Sequence, residues 1–300
     1  MKTKMIFNQL LIYVSAIIFL MCGPLIVAAG ADSNWPKDIG IASKPVGTGS
    51  YAVALSISKM IPKYVKGLKA HVAPFGTESG YIKSMVSGDV QMSITTSPFT
   101  YFAPRGLDIY AGATPIPLMI LASGEPYYWP LMVRPGSGIE KASDIKGKRG
   151  MIDYAGSLTG RLGYQSKLEA YGLTVNDIIL QTYGTVSEIA IALKEGRTDF
   201  GMCPVGLGTA FVQELAFGGK VILVGDTDEA MKIIYEKYPY FPPGVIPAKT
   251  FKGQDQPLKC SSLITHLGID KRMPDDLVYA ITAALFDNYK EWVSRDIFHI

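Results

Sequence analysis

The order of strand-like and helix-like segments constrains this fold more than any other feature of the sequence. Short apolar or β-branched runs occur at residues 39–42, 71–75, 90–96, 129–134, 150–154, 178–183, 199–204 and 221–224. Helical patterns lie among them, at residues 50–61, 77–87, 157–171, 185–194 and 274–293. Continuous apolar runs are typical of strands buried on both faces, as in a parallel sheet. The repeated order of strand, helix and strand therefore predicts an α/β protein.

An internal repeat favours two similar lobes, although any α/β protein repeats such units to some extent. Matched positions recur at offsets of 108 or 109 residues: Gly47/Gly156, Thr77/Thr185 and Gly88/Gly196. The threonines stand at helix starts, and Thr185 with Glu188 has the spacing of a capping box. The glycines at 88 and 196 stand where a left-handed helix stop is needed. The element order places lobe one at residues 32–129 and 226–300, and lobe two at residues 130–225.

The N-terminal segment, residues 1–31, has the three parts of a cleavable secretory signal peptide. Lys2 and Lys4 give it a basic start, and an apolar run follows. Small residues then offer cleavage after Ala29 or Ala31. The sequence therefore predicts export and a periplasmic location.

Two other interpretations of this leader are weaker. The apolar run is short for a membrane span of ~20 residues, which argues against an uncleaved anchor. A lipoprotein cut before Cys22 would need a small residue at the preceding position, where Met21 stands. We therefore expect a protein that is free in the periplasm.

Charge and motif content exclude several function classes. The formal net charge is +3, and loss of the two leader lysines leaves about +1, which gives no reason to expect nucleic-acid binding. His71, His266 and His299 are scattered without metal-ligand spacing. The motifs H-E-x-x-H, C-x-x-C and G-x-S-x-G do not occur. The sequence predicts no metal, no cofactor and no enzymatic activity.

Two cysteines, Cys203 and Cys260, remain after removal of the leader. The periplasm would permit a disulfide between them. The interpretation as two buried thiols is favoured, because about 270 residues can build a core that needs no covalent staple.

Glycine turns at two helix starts are the candidate ligand-binding elements. Gly47-Thr48-Gly49-Ser50-Tyr51-Ala52 matches a dinucleotide fingerprint, but Pro74 and Phe75 replace the acid expected after the next strand. Backbone N–H groups and the helix dipole at such a start still favour an anion. The turn Gly156-Ser157-Leu158-Thr159 has the same character. The two could face each other across a cleft and hold a small carboxylate, or both could be tight turns without a ligand.

Aromatic and basic residues near these turns are weaker candidates. Tyr51 and Tyr154 flank the two turns, and aromatic clusters occur at Tyr127-Tyr128-Trp129 and Tyr101-Phe102. Such rings could enclose an organic ligand or belong to the core. Possible charge partners for a carboxylate, each of which could equally be a surface charge, are Arg134, Arg161, Arg105 and Lys44.

Four stretches of the sequence look familiar in combination: Gly47-Thr48-Gly49-Ser50-Tyr51; residues 131–139 with 143–149; Gly156-Ser157-Leu158-Thr159; and Lys237-Tyr238-Pro239-Tyr240 with Ile246-Pro247 and Gly253-Gln254-Asp255. In that order they resemble the TAXI family of TRAP-transporter solute-binding proteins. The likeness covers nearly the whole mature chain. Relatives tend to run past residue 300, which suggests a shortened C-terminus. Residues 43–46, 153–155 and 202–204 depart from the family pattern, so the ligand's identity does not carry over.

The resemblance implies a type II periplasmic binding protein fold, a two-lobed Venus flytrap whose lobes are mostly parallel sheets flanked by helices. It implies a monomer that delivers a small organic anion (an amino acid or carboxylate) to a TRAP-type membrane permease. A ligand-sensing component of a signalling system, or an exported enzyme on the same fold, is the alternative. The predicted ligand-binding residues, with Arg134 added as a charge partner, are Gly47, Thr48, Gly49, Ser50, Tyr51, Thr77, Ser97, Gly156, Ser157, Leu158, Thr159, Val205 and Gly206.

Overall fold

A computed structural model describes residues 34–46, 48–76, 78–112, 114–155 and 157–293. The predicted signal peptide lies outside the described residues. The strands, in chain order, are β1 (Asp38–Ser43), β2 (Lys69–Pro74), β3 (Met92–Thr96), β4 (Leu118–Tyr128), β5 (Leu131–Val133), β6 (Arg149–Tyr154), β7 (Ile179–Tyr183), β8 (Phe200–Gly201), β9 (Ile222–Val224), β10 (Pro243–Ile246) and β11 (Leu258–Asp270).

The described helices include every helix expected from the sequence and three more. They are α1 (Gly49–Tyr64), α2 (Glu78–Ser87), α3 (Ser97–Phe102), α4 (Leu158–Ala170), α5 (Val186–Lys194), α6 (Ala210–Phe217), α7 (Asp228–Lys237), α8 (Asp275–Phe286) and α9 (Tyr289–Val293). The single helix predicted at residues 274–293 is two helices. Asn288 accounts for the break, because its amide donates to the Ala284 carbonyl at 2.9 Å in place of a backbone N–H.

The first sheet has the strand order β10-β11-β3-β1-β2, and β4 pairs with β11. Strands β2, β1 and β3 are parallel, whereas β11 runs antiparallel to β3, β4 and β10. This sheet and its helices α1, α2, α3 and α8 form the first lobe.

The second sheet has the strand order β7-β6-β8-β5-β9. Strands β7, β6 and β8 are parallel, and β5 runs antiparallel to β8 and β9. Helices α4, α5 and α6 flank this sheet, and together they form the second lobe. The architecture is therefore the predicted two-lobed α/β fold, but each sheet is mixed rather than mostly parallel.

Two antiparallel strands that the sequence pattern does not predict, β4 and β11, join the two lobes. Strand β4 pairs with β11 over most of its length and leads directly into β5 of the second lobe. At its end, Tyr128 exchanges two backbone hydrogen bonds with Val205 of the second lobe, both of 2.8 Å. These strands carry the crossover, so they are partly solvent-exposed and lack the continuous apolar pattern of β1 or β6.

Apolar packing continues from one lobe to the other through the crossover. Trp129 is 1% exposed and lies in a cluster that includes Phe99 of the first lobe and Leu162 of the second. Gly163 of α4 makes room for this indole, since a Cβ there would stand 2.7 Å from the ring. The lobes therefore share part of their core.

The two described cysteines agree with the interpretation as buried thiols. Cys203 and Cys260 are free and fully buried, and burial raises the pKa of each thiol to about 12. Both lie in the apolar cluster around α5 and α6.

The predicted capping details are partly correct. Gly88 and Gly196 have φ angles of 85° and 70°, so both are left-handed helix stops as expected. Thr185 does not complete a capping box, because its hydroxyl donates to the Glu188 carboxylate instead of accepting an N–H group. Within the described residues, no helix has both the length and the apolar character to cross a membrane.

Candidate ligand-binding cleft

Each sheet reverses its strand order at the strand that leads into a predicted glycine turn. Strand β1 lies between β2 and β3, and β6 lies between β7 and β8. In open α/β sheets, the crevice beyond the carboxyl ends of such strands is the usual place for a ligand. The starts of α1 and α4, which follow β1 and β6, are therefore the candidate site.

The start of α1 presents backbone N–H groups in a polar setting. Thr48 caps the helix by accepting the Tyr51 N–H at 3.2 Å, and the Ser50 hydroxyl accepts the Lys44 N–H at 3.3 Å. The first turn contains no acidic residue, and Thr48 and Gly49 are exposed. The uncapped N–H groups and the helix dipole favour an anion at this position.

The start of α4 has a similar construction in the second lobe. Ser157 caps it by accepting the Gly160 N–H at 3.1 Å, and the first turn again lacks an acidic residue. Leu158 and Thr159 are buried. The glycine at 160 allows β6 to approach, because a Cβ there would lie 3.0 Å from the Tyr154 Cβ. This helix start is more enclosed than that of α1.

Two contacts connect the lobes at this level. The hydroxyl oxygens of Thr96, at the end of β3, and Thr159 lie 3.5 Å apart. The Tyr127 ring spans the same gap, since its hydroxyl stands 3.3 Å from the Cβ position of Gly49 and its ring 3.6 Å from that of Gly206. Burial raises the pKa of Tyr127, so the phenol stays neutral. Among the described residues, none hydrogen-bonds to this hydroxyl.

An aromatic pair borders the second helix start. The rings of Tyr154 and Tyr183 stack with centroids 5.2 Å apart and planes inclined by 3°. Tyr183 is buried and Tyr154 is 37% exposed, so the pair presents one open ring face. Thr182 supports the turn by donating to the Asp153 carboxylate at 2.9 Å. The ring face could pack against the organic part of a ligand.

The basic residue nearest this helix start is already paired. Arg161 Nη2 donates to Asp108 Oδ1 of the first lobe at 2.9 Å, and both side chains are partly exposed. The predicted charge partner is therefore engaged by a carboxylate of the chain itself.

Two predicted ligand-binding residues, Ser97 and Val205, already have hydrogen-bond partners within the protein. The Ser97 hydroxyl donates to the Tyr240 carbonyl at 2.8 Å and accepts the Ile264 N–H at 3.0 Å, so both of its functions are used. The Val205 side chain is fully buried, and its backbone is occupied by the bridge to Tyr128. Neither side chain is presented to the cleft.

Arg134, the predicted charge partner, lies beyond the end of β5 that adjoins the start of β8. It follows the end of β5, which runs antiparallel to β8, and its Nη2 donates to Asp199 Oδ1 at 2.7 Å. Arg149 donates to the same carboxylate at 2.8 Å, and the two hydrogen-bonded guanidinium groups hold the pKa of Asp199 well below its usual value. This ion-pair group stands at the amino ends of β6 and β8, opposite the cleft.

Three predicted positions, Gly47, Thr77 and Gly156, lie outside the described residues. Within the described part of the chain, no group of His, Cys, Asp or Glu side chains is placed to hold a metal ion.

Thr96, Asp108 and Tyr127 lie at the candidate site but are not among the predicted ligand-binding residues. Tyr127 belongs to the aromatic cluster Tyr127-Tyr128-Trp129, which is visible in the sequence. Its position just before the crossover between the lobes is the sequence feature that marks it as a candidate for the cleft. Thr96 and Asp108 approach the second lobe only through the tertiary fold, and no local pattern marks them.

A family model described as the NMT1-like family matches residues 41–297 of the chain. The match includes both lobes and both helix starts.

Solved structures of binding proteins share the architecture. PhnD1 from Prochlorococcus marinus MIT 9301, in complex with methylphosphonate, is 9% identical, with 83% of this chain and 84% of that chain covered and a TM-score of 0.56. The periplasmic aliphatic sulphonate binding protein SsuA from Escherichia coli is 12% identical, with coverages of 86% and 73% and a TM-score of 0.51. An ancestral arginine-binding protein bound to arginine is 15% identical, with coverages of 87% and 96% and a TM-score of 0.50. At these identities the likeness establishes the type II periplasmic binding protein fold.

Proposed function

The chain belongs to the NMT1-like family and has the type II periplasmic binding protein fold, and from these premises we propose that it is a periplasmic solute-binding receptor. It takes a small organic anion into the cleft between its lobes and has no catalytic role. It works as a monomer, and the signal peptide at residues 1–31 is removed on export.

One observation carries this proposal: each lobe contributes a hydroxyl-capped helix start at the carboxyl edge of its sheet. Thr48 and Ser157 cap these helices, and neither first turn contains an acid. The 3.5 Å approach of Thr96 to Thr159 brings the lobes together beside them. Two helix dipoles directed at one crevice favour a negative ligand group without requiring a free arginine.

The anion is a carboxylate, sulfonate or phosphonate of modest size. Solved proteins with this fold include an aliphatic sulphonate binding protein, a complex with methylphosphonate and an arginine-binding protein bound to arginine, and each of these ligands has at least one acidic group. In this chain the Tyr127 hydroxyl and the exposed face of Tyr154 would contact the rest of the molecule.

The partner we propose is a TRAP-type permease driven by an ion gradient, in line with the TAXI-like stretches of the sequence. Residues 32–129 and 226–300 would form one docking lobe and residues 130–225 the other. Uptake of a bound anion into vesicles that contain such a permease should require this protein. A sensing role would instead predict binding without uptake.

The binding site is tested by a thermal-shift screen over carboxylates, amino acids, sulfonates and phosphonates. A ligand at 100 times its dissociation constant adds about 2.7 kcal/mol of stability, which such a screen detects. For each hit, Ser157→Ala is compared with Thr227→Ala, which removes the equivalent cap from α7, where Thr227 accepts the Ala230 N–H at 3.1 Å. Both variants should lose about 1 kcal/mol of stability, but only Ser157→Ala should weaken binding. Equal binding by the two variants would reject this helix start as the site.

A further inference from the structure

One ion pair joins the lobes directly at the side of the cleft. Arg161 Nη2 of the second lobe and Asp108 Oδ1 of the first lobe are 2.9 Å apart. Their side chains are 37% and 29% exposed, so the pair is partly accessible to solvent. The contact exists only when the lobes are close, because opening the cleft by a few ångströms would move Arg161 and Asp108 beyond hydrogen-bonding distance.

The backbone holds Asp108 in an unusual conformation. Its φ angle is 55°, in the left-handed region that side chains other than Asn and Asp rarely adopt. Gly106, with a φ of 61°, turns the chain just before it, and the buried Tyr110 anchors the segment just after it. The turn therefore selects Asp or Asn at this position and directs the side chain at the other lobe.

Arg161 belongs to the helix start that forms half of the candidate site. It lies in the first turn of α4, after the Ser157 cap and the cleft residue Thr159. Its other terminal nitrogen donates to Gln165 at 3.4 Å, one turn along the same helix. The Asp108 contact therefore acts on the element that is proposed to hold the anion.

We propose that Asp108 and Arg161 form a lobe-to-lobe latch that raises the population of the closed state in the absence of ligand. The closed population sets the apparent affinity of any ligand that binds only the closed cleft, so the latch tunes affinity without touching the ligand. This consequence rests on the proposed function, whereas the latch itself is a property of the free protein.

The size of the effect follows from the exposure of the pair. Exposed ion pairs shift an equilibrium by about twofold to fivefold at low salt. Screening in 1 M salt, where the Debye length is ~3 Å, should remove most of that bias.

The test measures the distance between the lobes in the ligand-free protein by double electron–electron resonance. Nitroxide labels are attached to Lys83→Cys in α2 and Ser187→Cys in α5, both exposed positions. Cys203 and Cys260, the two cysteines that remain after removal of the leader, are fully buried and stay unlabelled.

Asp108→Asn keeps the shape and the backbone preference of Asp108 but removes its charge. We expect this variant and Arg161→Gln each to raise the open population about twofold to fivefold at low salt. The double variant should match the singles, because all three lack the same contact. Lys194→Gln breaks an exposed ion pair with Glu214 inside the second lobe, and it should leave the distances unchanged.

Unchanged distances in Asp108→Asn and Arg161→Gln, or an equal shift in Lys194→Gln, would overturn the latch. In the wild type, 1 M NaCl should give the distance distribution of Asp108→Asn. A wild-type distribution that is the same at low salt and in 1 M NaCl would also contradict the latch. No ligand enters this experiment. A failed latch and a failed binding function therefore give different results.

Discussion

A buried ion pair at the return crossover makes the strongest prediction about stability. Lys167 Nζ of α4 lies 2.6 Å from both carboxylate oxygens of Asp226, and the side chains are 2% and 0% exposed. The Ser261 N–H of β11 and the Tyr171 hydroxyl also donate to this carboxylate, at 3.0 and 3.3 Å. The pair therefore ties a helix of the second lobe to a strand of the first.

Lys167→Met should be strongly destabilising. It leaves the Asp226 carboxylate buried with only two neutral donors, the Ser261 N–H and the Tyr171 hydroxyl. Removal of one member of a buried pair costs about 3–5 kcal/mol, because the remaining charge has lost its compensation. A protein of this size loses about 2–4 °C of Tm per kcal/mol, which corresponds to a fall of roughly 6–20 °C.

Urea unfolding followed by circular dichroism measures this loss, and a double-mutant cycle identifies its cause. Lys167→Met with Asp226→Asn removes both charges, so the double variant should cost clearly less than the sum of the single variants. Lys232→Met serves as the control, since its pair with Glu236 is exposed and 3.9 Å long, and it should change stability by less than about 0.5 kcal/mol. Additive single effects, or a Lys167→Met variant within about 1 kcal/mol of the wild type, would refute the reasoning.

Two further predictions concern buried titratable groups. Burial raises the pKa of the Cys203 and Cys260 thiols to about 12, so Ellman's reagent at about pH 8 should gain two reactive thiols on unfolding in urea. Reaction of either thiol in the native protein would contradict the assigned burial. Burial lowers the pKa of His266 below 6.5, and its ring lies 3.0 Å from the Ser123 hydroxyl. Because the folded state favours the neutral imidazole, its contribution to stability is complete above about pH 6.5 and is lost as the pH falls through the folded pKa. His266→Gln should reduce the change in the urea unfolding midpoint between about pH 7 and pH 5. A pH dependence equal to that of the wild type would exclude a contribution of His266 to acid destabilisation.

The parallel parts of both sheets were predictable because their signal is local. Strands β1, β3 and β6 are buried on both faces, so their sequences are continuous apolar or β-branched runs bounded by turns. Strands β4 and β11 were missed for the opposite reason. Each contains glycine and polar residues, because parts of both strands contact solvent while they connect the lobes. Their pairing depends on a partner more than 130 residues away, which no sequence window contains.

The same distinction between local and long-range signals applies to the residues of the candidate site. The two helix starts were predictable because their signal is local: each cap, Thr48 or Ser157, bonds to an N–H three residues along the chain. Whether Ser97 is presented to the cleft or to the core depends on Tyr240, which is 143 residues distant. Residue type alone does not decide that question.

Closure of the cleft should be harder to predict from sequence than the polarity of the ligand. The polarity of the cleft comes from the local backbone at two helix starts, which glycine and hydroxyl residues specify within a few positions. Closure depends on pairs such as Asp108 with Arg161 and Thr96 with Thr159, whose members are 53 and 63 residues apart. A substitution in either member leaves both local patterns intact and changes the relation between the lobes. Homologous chains with the same helix starts can therefore differ in affinity through contacts that never touch the ligand.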